Sequence, residues 1–195
     1  MTQAPVQWPG GIEAKPAPEP LARIQALVNT IDLESGVDRL ALVTDAQPWL
    51  RTHGLLPFDG IPTDDELRAI RDVREALRAM LLQNAGGPAP TVDQLSPLSR
   101  ITAAAGVRVH LGADGTVQLA ADSDSLDGRL LALMLVVSDA QRDGTWALLK
   151  ACANEDCRWA FYDRSRNHGG TWCDMATCGN KLKNREFRAR RTRRG

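Results

Sequence analysis

No stretch of this 195-residue chain approaches the run of roughly 18 apolar residues that a membrane-spanning helix needs. The opening residues MTQAPVQWPGGIEAKPAPEP lack both the basic start and the apolar core of a secretory signal, so the expected location is cytoplasmic. No internal repeat is present, and no glycine-rich phosphate loop sits between a strand pattern and a helix pattern. His53 and His110 are isolated. No nucleophile, base and orienting group stand at a suggestive spacing, and no carboxylate pair lies in an apolar context, so catalytic chemistry finds no support. Cysteine is absent from the first 151 residues, and all four thiols fall within the 27-residue window from Cys152 to Cys178. In a reducing compartment such a cluster points to metal ligation rather than disulfides.

What is present is ordinary globular composition, 43% hydrophobic and 25% charged, divided into two electrically unlike parts. Residues 1–149 carry 12 basic and 19 acidic side chains, giving −7, while residues 150–195 carry 12 basic and 5 acidic, giving +7. Any contact with a polyanion is therefore expected at the C-terminus, where eight bases lie between Lys181 and Arg194.

Three regions follow from the pattern: a flexible proline-rich arm over 1–20, a helical domain over 21–149, and a small basic finger over 150–195. Leu21, Ile24, Leu27, Val28 and Ile31 recur at helical steps, predicting a helix that ends near Gly36. A short helix is expected from Ala46 to His53. Thr63 to Leu82 is the clearest helix, with Thr63 and Glu66 forming a capping box ahead of Leu67, Ile70, Val73, Leu77, Met80 and Leu81. Asn84 to Pro97 reads as a loop, with a helical turn from Ser96 to Ala105. The period then becomes two: Val107, Val109 and Leu111, an Asp-Gly turn, then Val117 and Leu119 predict one β-hairpin. The apolar run from Leu126 toward Leu149 is read as a long helix leading into the cysteines. Trp8, Trp49 and Trp146 are read as packing residues and His168 as a surface residue. The fold class expected is mainly α with one β-hairpin, carrying a C-terminal zinc ribbon-like finger.

Cys152 and Cys157 are separated by four residues, as are Cys173 and Cys178, with fifteen residues between the pairs. Two such knuckles can bring four sulfurs to the corners of a tetrahedron about 2.3 Å from one Zn²⁺; with four protein thiolates no position stays open for water, so one structural zinc per chain is expected. Metal binding would supply much of the folding free energy of so small a unit.

The segment from Cys152 to Arg190 closely resembles the CGNR zinc finger. Cys178, Gly179, Asn180 and Lys181 match its name-giving knuckle, and Phe161, Asp163, Arg164, Ser165, Trp172 and Met175 match around it. In that family the finger follows the ABATE domain, described as a stress-induced transcription regulator, and Leu27-Val28-Asn29-Thr30 resembles its opening helix. Lys181 stands where the motif has arginine, keeping the charge but losing the planar fork that grips phosphate through two bonds. Gly170 and Thr171 occupy positions where basic residues are expected.

The resemblance and the charge together imply a transcription regulator contacting DNA through Arg164, Arg166, Lys181, Lys183, Arg185, Arg188, Arg190 and Arg191. It further implies a helical half that senses an unknown small-molecule effector or forms a homodimer. The alternative is an enzyme or small-molecule-binding protein in which the finger is purely structural, with a pocket near polar residues such as Asn29.

Overall fold

A computed structural model describes residues 13–57 and 59–181. Eleven elements follow in order: α1 (Leu21–Val28), β1 (Ile31–Asp32), β2 (Val37–Asp38), α2 (Val43–Thr52), α3 (Asp64–Asn84), α4 (Val92–Ala104), β3 (Val107–Leu111), β4 (Val117–Ala121), α5 (Leu126–Asp143), β5 (Leu149–Ala151) and β6 (Ala160–Tyr162). The described residues are mainly helical. The strands form three antiparallel pairs, β1–β2, β3–β4 and β5–β6, instead of the single hairpin expected.

Helix α3 is the spine. Thr63 accepts from the Glu66 amide at 3.2 Å, and the Glu66 carboxylate accepts from the Thr63 amide at 2.7 Å, closing the capping box read from the sequence. Leu67, Ile70, Val73, Leu77 and Leu81 are almost wholly buried along one face, each worth about 1.5–3 kcal/mol of burial. That face packs on α1, α4 and β5. Trp146 is in the same core, and Trp49 stacks on His53 with ring centroids 4.0 Å apart. Trp8 lies outside the described residues.

Several boundaries differ from the sequence reading. Helix α1 stops at Val28, and the chain turns through the β1–β2 hairpin, where Gly36 takes a positive φ of 72°. Helix α2 begins at Val43, three residues earlier than expected. Helix α4 begins at Val92, inside the stretch read as a loop: Thr91 and Gln94 form a second capping box, and Pro97 is accommodated within the helix. Helix α5 does not run to Leu149; it ends at Asp143, where Gly144 adopts the left-handed conformation, φ 82°. A single 3₁₀ turn, Thr145–Leu148, then aims the chain into β5.

Residues 13–17 of the proline-rich arm are bonded to the rest of the described chain. Tyr162 donates its amide to the Lys15 carbonyl at 3.0 Å, so the backbone at residue 15 lies along β6 as an extra strand would. Arg164 donates to the Pro16 carbonyl at 2.7 Å, Lys15 to the Trp172 carbonyl at 3.1 Å, and Trp159 Nε1 to Glu13 at 2.9 Å. Residues 13–17 thus strap α1 to the finger.

Candidate metal centre

The first knuckle grows out of β5. Cys152 follows Ala151 and donates its amide to the Trp159 carbonyl at 2.9 Å; the turn closes where Cys157 and Arg158 both donate to the Asn154 carbonyl at 3.0 Å. Arg158 reverses the chain with φ 52°. The second knuckle is a wide turn over Met175–Gly179. Asp174 initiates it, its carboxylate accepting from the Thr177 amide at 2.7 Å and the Thr177 hydroxyl at 3.1 Å.

These two turns bring Cys152, Cys157, Cys173 and Cys178 together, all four sulfurs lying within 4.8 Å of one another. Cys157 and Cys173 are 3.7 Å apart and Cys173 and Cys178 are 3.8 Å apart. A tetrahedron with 2.3 Å metal–sulfur bonds has edges of about 3.8 Å, so the donor set has the size of a ZnS₄ centre. Without a cation the sulfurs compete for protons: hydrogen bonds from Cys157 and Cys173 hold the Cys152 thiol down, and the bond to Cys152 pushes Cys157 up to about 12. A divalent ion removes that conflict by letting all four ionise. Asn154 Nδ2 lies 3.7 Å from the Cys178 sulfur and offers it a donor.

The insert between the knuckles is held by a buried ion pair. Lys150, on β5, lies 2.8 Å from Asp163, and both side chains are almost fully shielded. Lys150 also donates to the carbonyls of His168 and Gly170, while Asp163 accepts the amides of Ser165 at 3.0 Å and Gly170 at 2.7 Å. Burial works against ionisation of Asp163, but Lys150 and these donors outweigh it and hold the carboxyl below the ordinary range. The absence of a basic side chain at Gly170 now has a reason: a Cβ there would lie 2.8 Å from the Asp163 carboxylate. His168 is exposed, as expected.

Asn29 is buried, and its side chain is committed to β6. Its Oδ1 accepts the Ala160 amide at 2.7 Å and its Nδ2 donates to the Ala160 carbonyl at 3.0 Å, so one amide side chain mimics a strand partner for β6. Nδ2 also donates to Glu13 at 2.8 Å, and Gln25, one turn earlier, donates to the Ala160 carbonyl at 3.1 Å. Thr30 accepts from Arg74, which makes a two-bond pair with Asp38 at 2.7 and 2.9 Å. Arg78, one turn along α3, donates to the carbonyls of Val28 and Arg158, tying the end of α1 to the first knuckle. Arg74 and Arg78 escaped the sequence reading because arginine on a long helix reads as a solvated face; the signal available was their place on the side of Ile70 and Leu77.

Of the basic residues expected to meet nucleic acid, Arg164, Arg166 and Lys181 are described. Arg164 is exposed but engaged with the strap and lies over the Tyr162 ring at 5.1 Å. Arg166 is exposed and borders a groove of about 420 Å³ with Lys15, Asn167, Trp172 and Met175. Lys181 is exposed beyond the second knuckle and meets Glu34 at 2.6 Å. Lys183, Arg185, Arg188, Arg190 and Arg191 lie outside the described residues. Among the described residues no helix is long and apolar enough to cross a membrane.

No curated protein matches the chain closely. Two family models do. Residues 149–191 match the CGNR zinc finger, which accords with a four-cysteine cluster able to bind one zinc ion. Residues 21–151 match ABATE, described as "Putative stress-induced transcription regulator". Because that second match spans α1 through β5, two thirds of the sequence, the chain belongs to the ABATE family and carries a CGNR zinc finger at its C-terminal end.

Proposed function

We propose that the protein regulates transcription by binding duplex DNA through its basic finger, with Cys152, Cys157, Cys173 and Cys178 holding one structural zinc. The observation that carries this reading is Lys181, exposed two residues after the cysteine knuckle. The knuckle fixes the starting point of a segment with eight bases in fourteen residues, from Lys181 to Arg194. Four thiolates around Zn²⁺ leave a charge of about −2, which one or two bases offset. The rest exceed what screening needs and suit a phosphate backbone.

Arg166, Lys183, Arg185, Arg188, Arg190 and Arg191 complete the contact surface in this reading, with Arg164 shared between DNA and the strap. The groove beside Arg166 adds the Asn167 amide and the face of Trp172, groups suited to phosphate oxygens and sugar. The helical domain receives the stress signal, through a small-molecule effector or through self-association, and the strap and Asn29 transmit it as one body to the finger. The protein acts in the cytoplasm.

The test is a titration of zinc-loaded protein against duplex DNA at 50 and 200 mM salt, beside a chain ending at Asn180. If about six phosphates are neutralised, affinity falls by about a thousandfold between the two salts, and the shortened chain loses most of it. Undiminished binding by the shortened chain removes the basic segment as the contact surface. No binding by either form at low salt removes DNA as the partner.

A further inference from the structure

The β3–β4 hairpin turns five large aliphatic side chains to water, while Ala121 at its base packs against the core. Its register pairs Val107 with Ala121, Val109 with Leu119 and Leu111 with Val117, so these six side chains share one face. Arg108, His110, Gln118 and Ala120 share the other. The five larger aliphatics are 47–75% exposed, and they are half of the large exposed hydrophobics among the described residues. Strand β4 lies on α5 and β3 lies outside it, so the hairpin projects from the helical body. A lone two-stranded ribbon is marginal in water, and a native chain does not ordinarily leave such a face bare.

We propose that this face is the contact between two copies of the chain, stacked hairpin on hairpin about a two-fold axis. The face carries no charge. A nucleic acid or a charged peptide finds nothing there to pair with, whereas a second copy presents the same uncharged aliphatic surface without repulsion. The area also fits: five aliphatics at these exposures offer on the order of 500 Å² per copy, so two copies bury roughly 1,000 Å², the lower limit for a specific interface. An interface at this limit belongs to the weak, reversible class, so association is sought across a wide range of concentration. Face-to-face packing at the usual sheet spacing of about 10 Å lets Val109 and Leu119 interdigitate at the centre, with Val107, Leu111 and Val117 around them. None of the residues proposed above to meet DNA belongs to this hairpin, so the failure of one proposal leaves the other standing.

The experiment is sedimentation of the full-length zinc-loaded chain from 1 to 200 μM, beside Val109→Asp, Val109→Lys and an equimolar mixture of the two variants. The native chain is expected to pass from monomer to dimer, and each variant alone to weaken association by at least a hundredfold. The mixture should recover part of it by pairing opposite charges across the axis. Because Val109 is already exposed, the variants should keep native helical circular dichroism. A native chain that stays monomeric throughout, as when residues 1–12 or another protein cover the face, overturns the proposal, and so does a dimer indifferent to both variants.

Discussion

Asn29 offers a sharp test of how the helical domain grips the finger. It is 3% exposed and makes three hydrogen bonds, one from the Ala160 amide, one to the Ala160 carbonyl and one to Glu13. Replacing it with alanine removes all three. The Ala160 carbonyl keeps Gln25 and Glu13 keeps Trp159, but the buried Ala160 amide loses its acceptor. At about 1 kcal/mol for each of the two bonds whose partners keep another and 1–3 kcal/mol for the orphaned amide, Asn29→Ala should cost about 3–5 kcal/mol. Asn29→Asp keeps the acceptor for that amide yet turns an oxygen toward the Ala160 carbonyl and the Glu13 carboxylate, both within 3.0 Å of the present Nδ2. Burial already raises the Glu13 carboxyl, with Asn29 and Trp159 opposing it; removing the Asn29 donor raises it further. A carboxyl raised in the folded state stabilises below its unfolded pKa and loses that contribution as pH rises through the folded value. Asn29→Asp should therefore be less stable than Asn29→Ala near pH 7.5 and should gain on it toward pH 5, where a proton bridges the new carboxyl and Glu13. Urea unfolding of both variants at the two pH values measures the gap, and any weakening of the zinc site by acid is common to both. A gap that is absent at pH 7.5, or that does not change with pH, would refute this account of the joint.

Asp163→Ala should destabilise the protein by about 3–5 kcal/mol in urea unfolding, because it strands buried Lys150 and leaves the Ser165 and Gly170 amides without their acceptor. The carboxyl is held low, so its contribution is complete above the unfolded pKa and disappears as pH falls through the folded one; a cost under about 1 kcal/mol at neutral pH would show the clamp to be idle. Chelation of zinc should raise amide exchange across 152–158 and 171–181 while helical circular dichroism is retained. Leu149, Ala151, Ala160 and Tyr162 belong to the same core as α1 and α3 and should therefore stay packed without the metal. Loss of the helical signal on chelation would contradict that division. Cys173→Ser should reproduce the chelated state and weaken zinc retention in a competition assay with a colorimetric chelator.

The parts legible in the sequence are those whose physics is local. Thr63 and Glu66 announce α3 because a capping box needs only four consecutive residues, and the paired cysteines announce a metal centre because ligand spacing is set within each knuckle. Helix α4 has the same local signal in Thr91 and Gln94, masked by Gly86, Gly87, Pro88 and Pro90 before it and Pro97 within. The bonding of residues 13–17 was hidden for a different reason. Five prolines in twenty residues argue against burial, but Glu13–Ala17 are held through backbone carbonyls, the Ala17 amide and the Glu13 and Lys15 side chains, and Pro16 interferes with none of these. The roles of Asn29, Arg74 and Arg78 depend on partners between 36 and 131 residues away, and no window of sequence displays them.

The strap imposes an order of assembly. Residues 13–17 are made early, yet their partners Trp159, Tyr162, Arg164 and Trp172 emerge from the ribosome some 145 to 157 residues later. Until then Gln25 and Asn29 have no β6 backbone to meet, and the face of α1 that they occupy stays wet. Closure of the strap therefore waits for β6, which lies between residues 13–17 and the helix that follows them. A nascent chain halted before Tyr162 has its spine but cannot lock, because the Lys15 and Pro16 carbonyls still lack their donors from Tyr162 and Arg164.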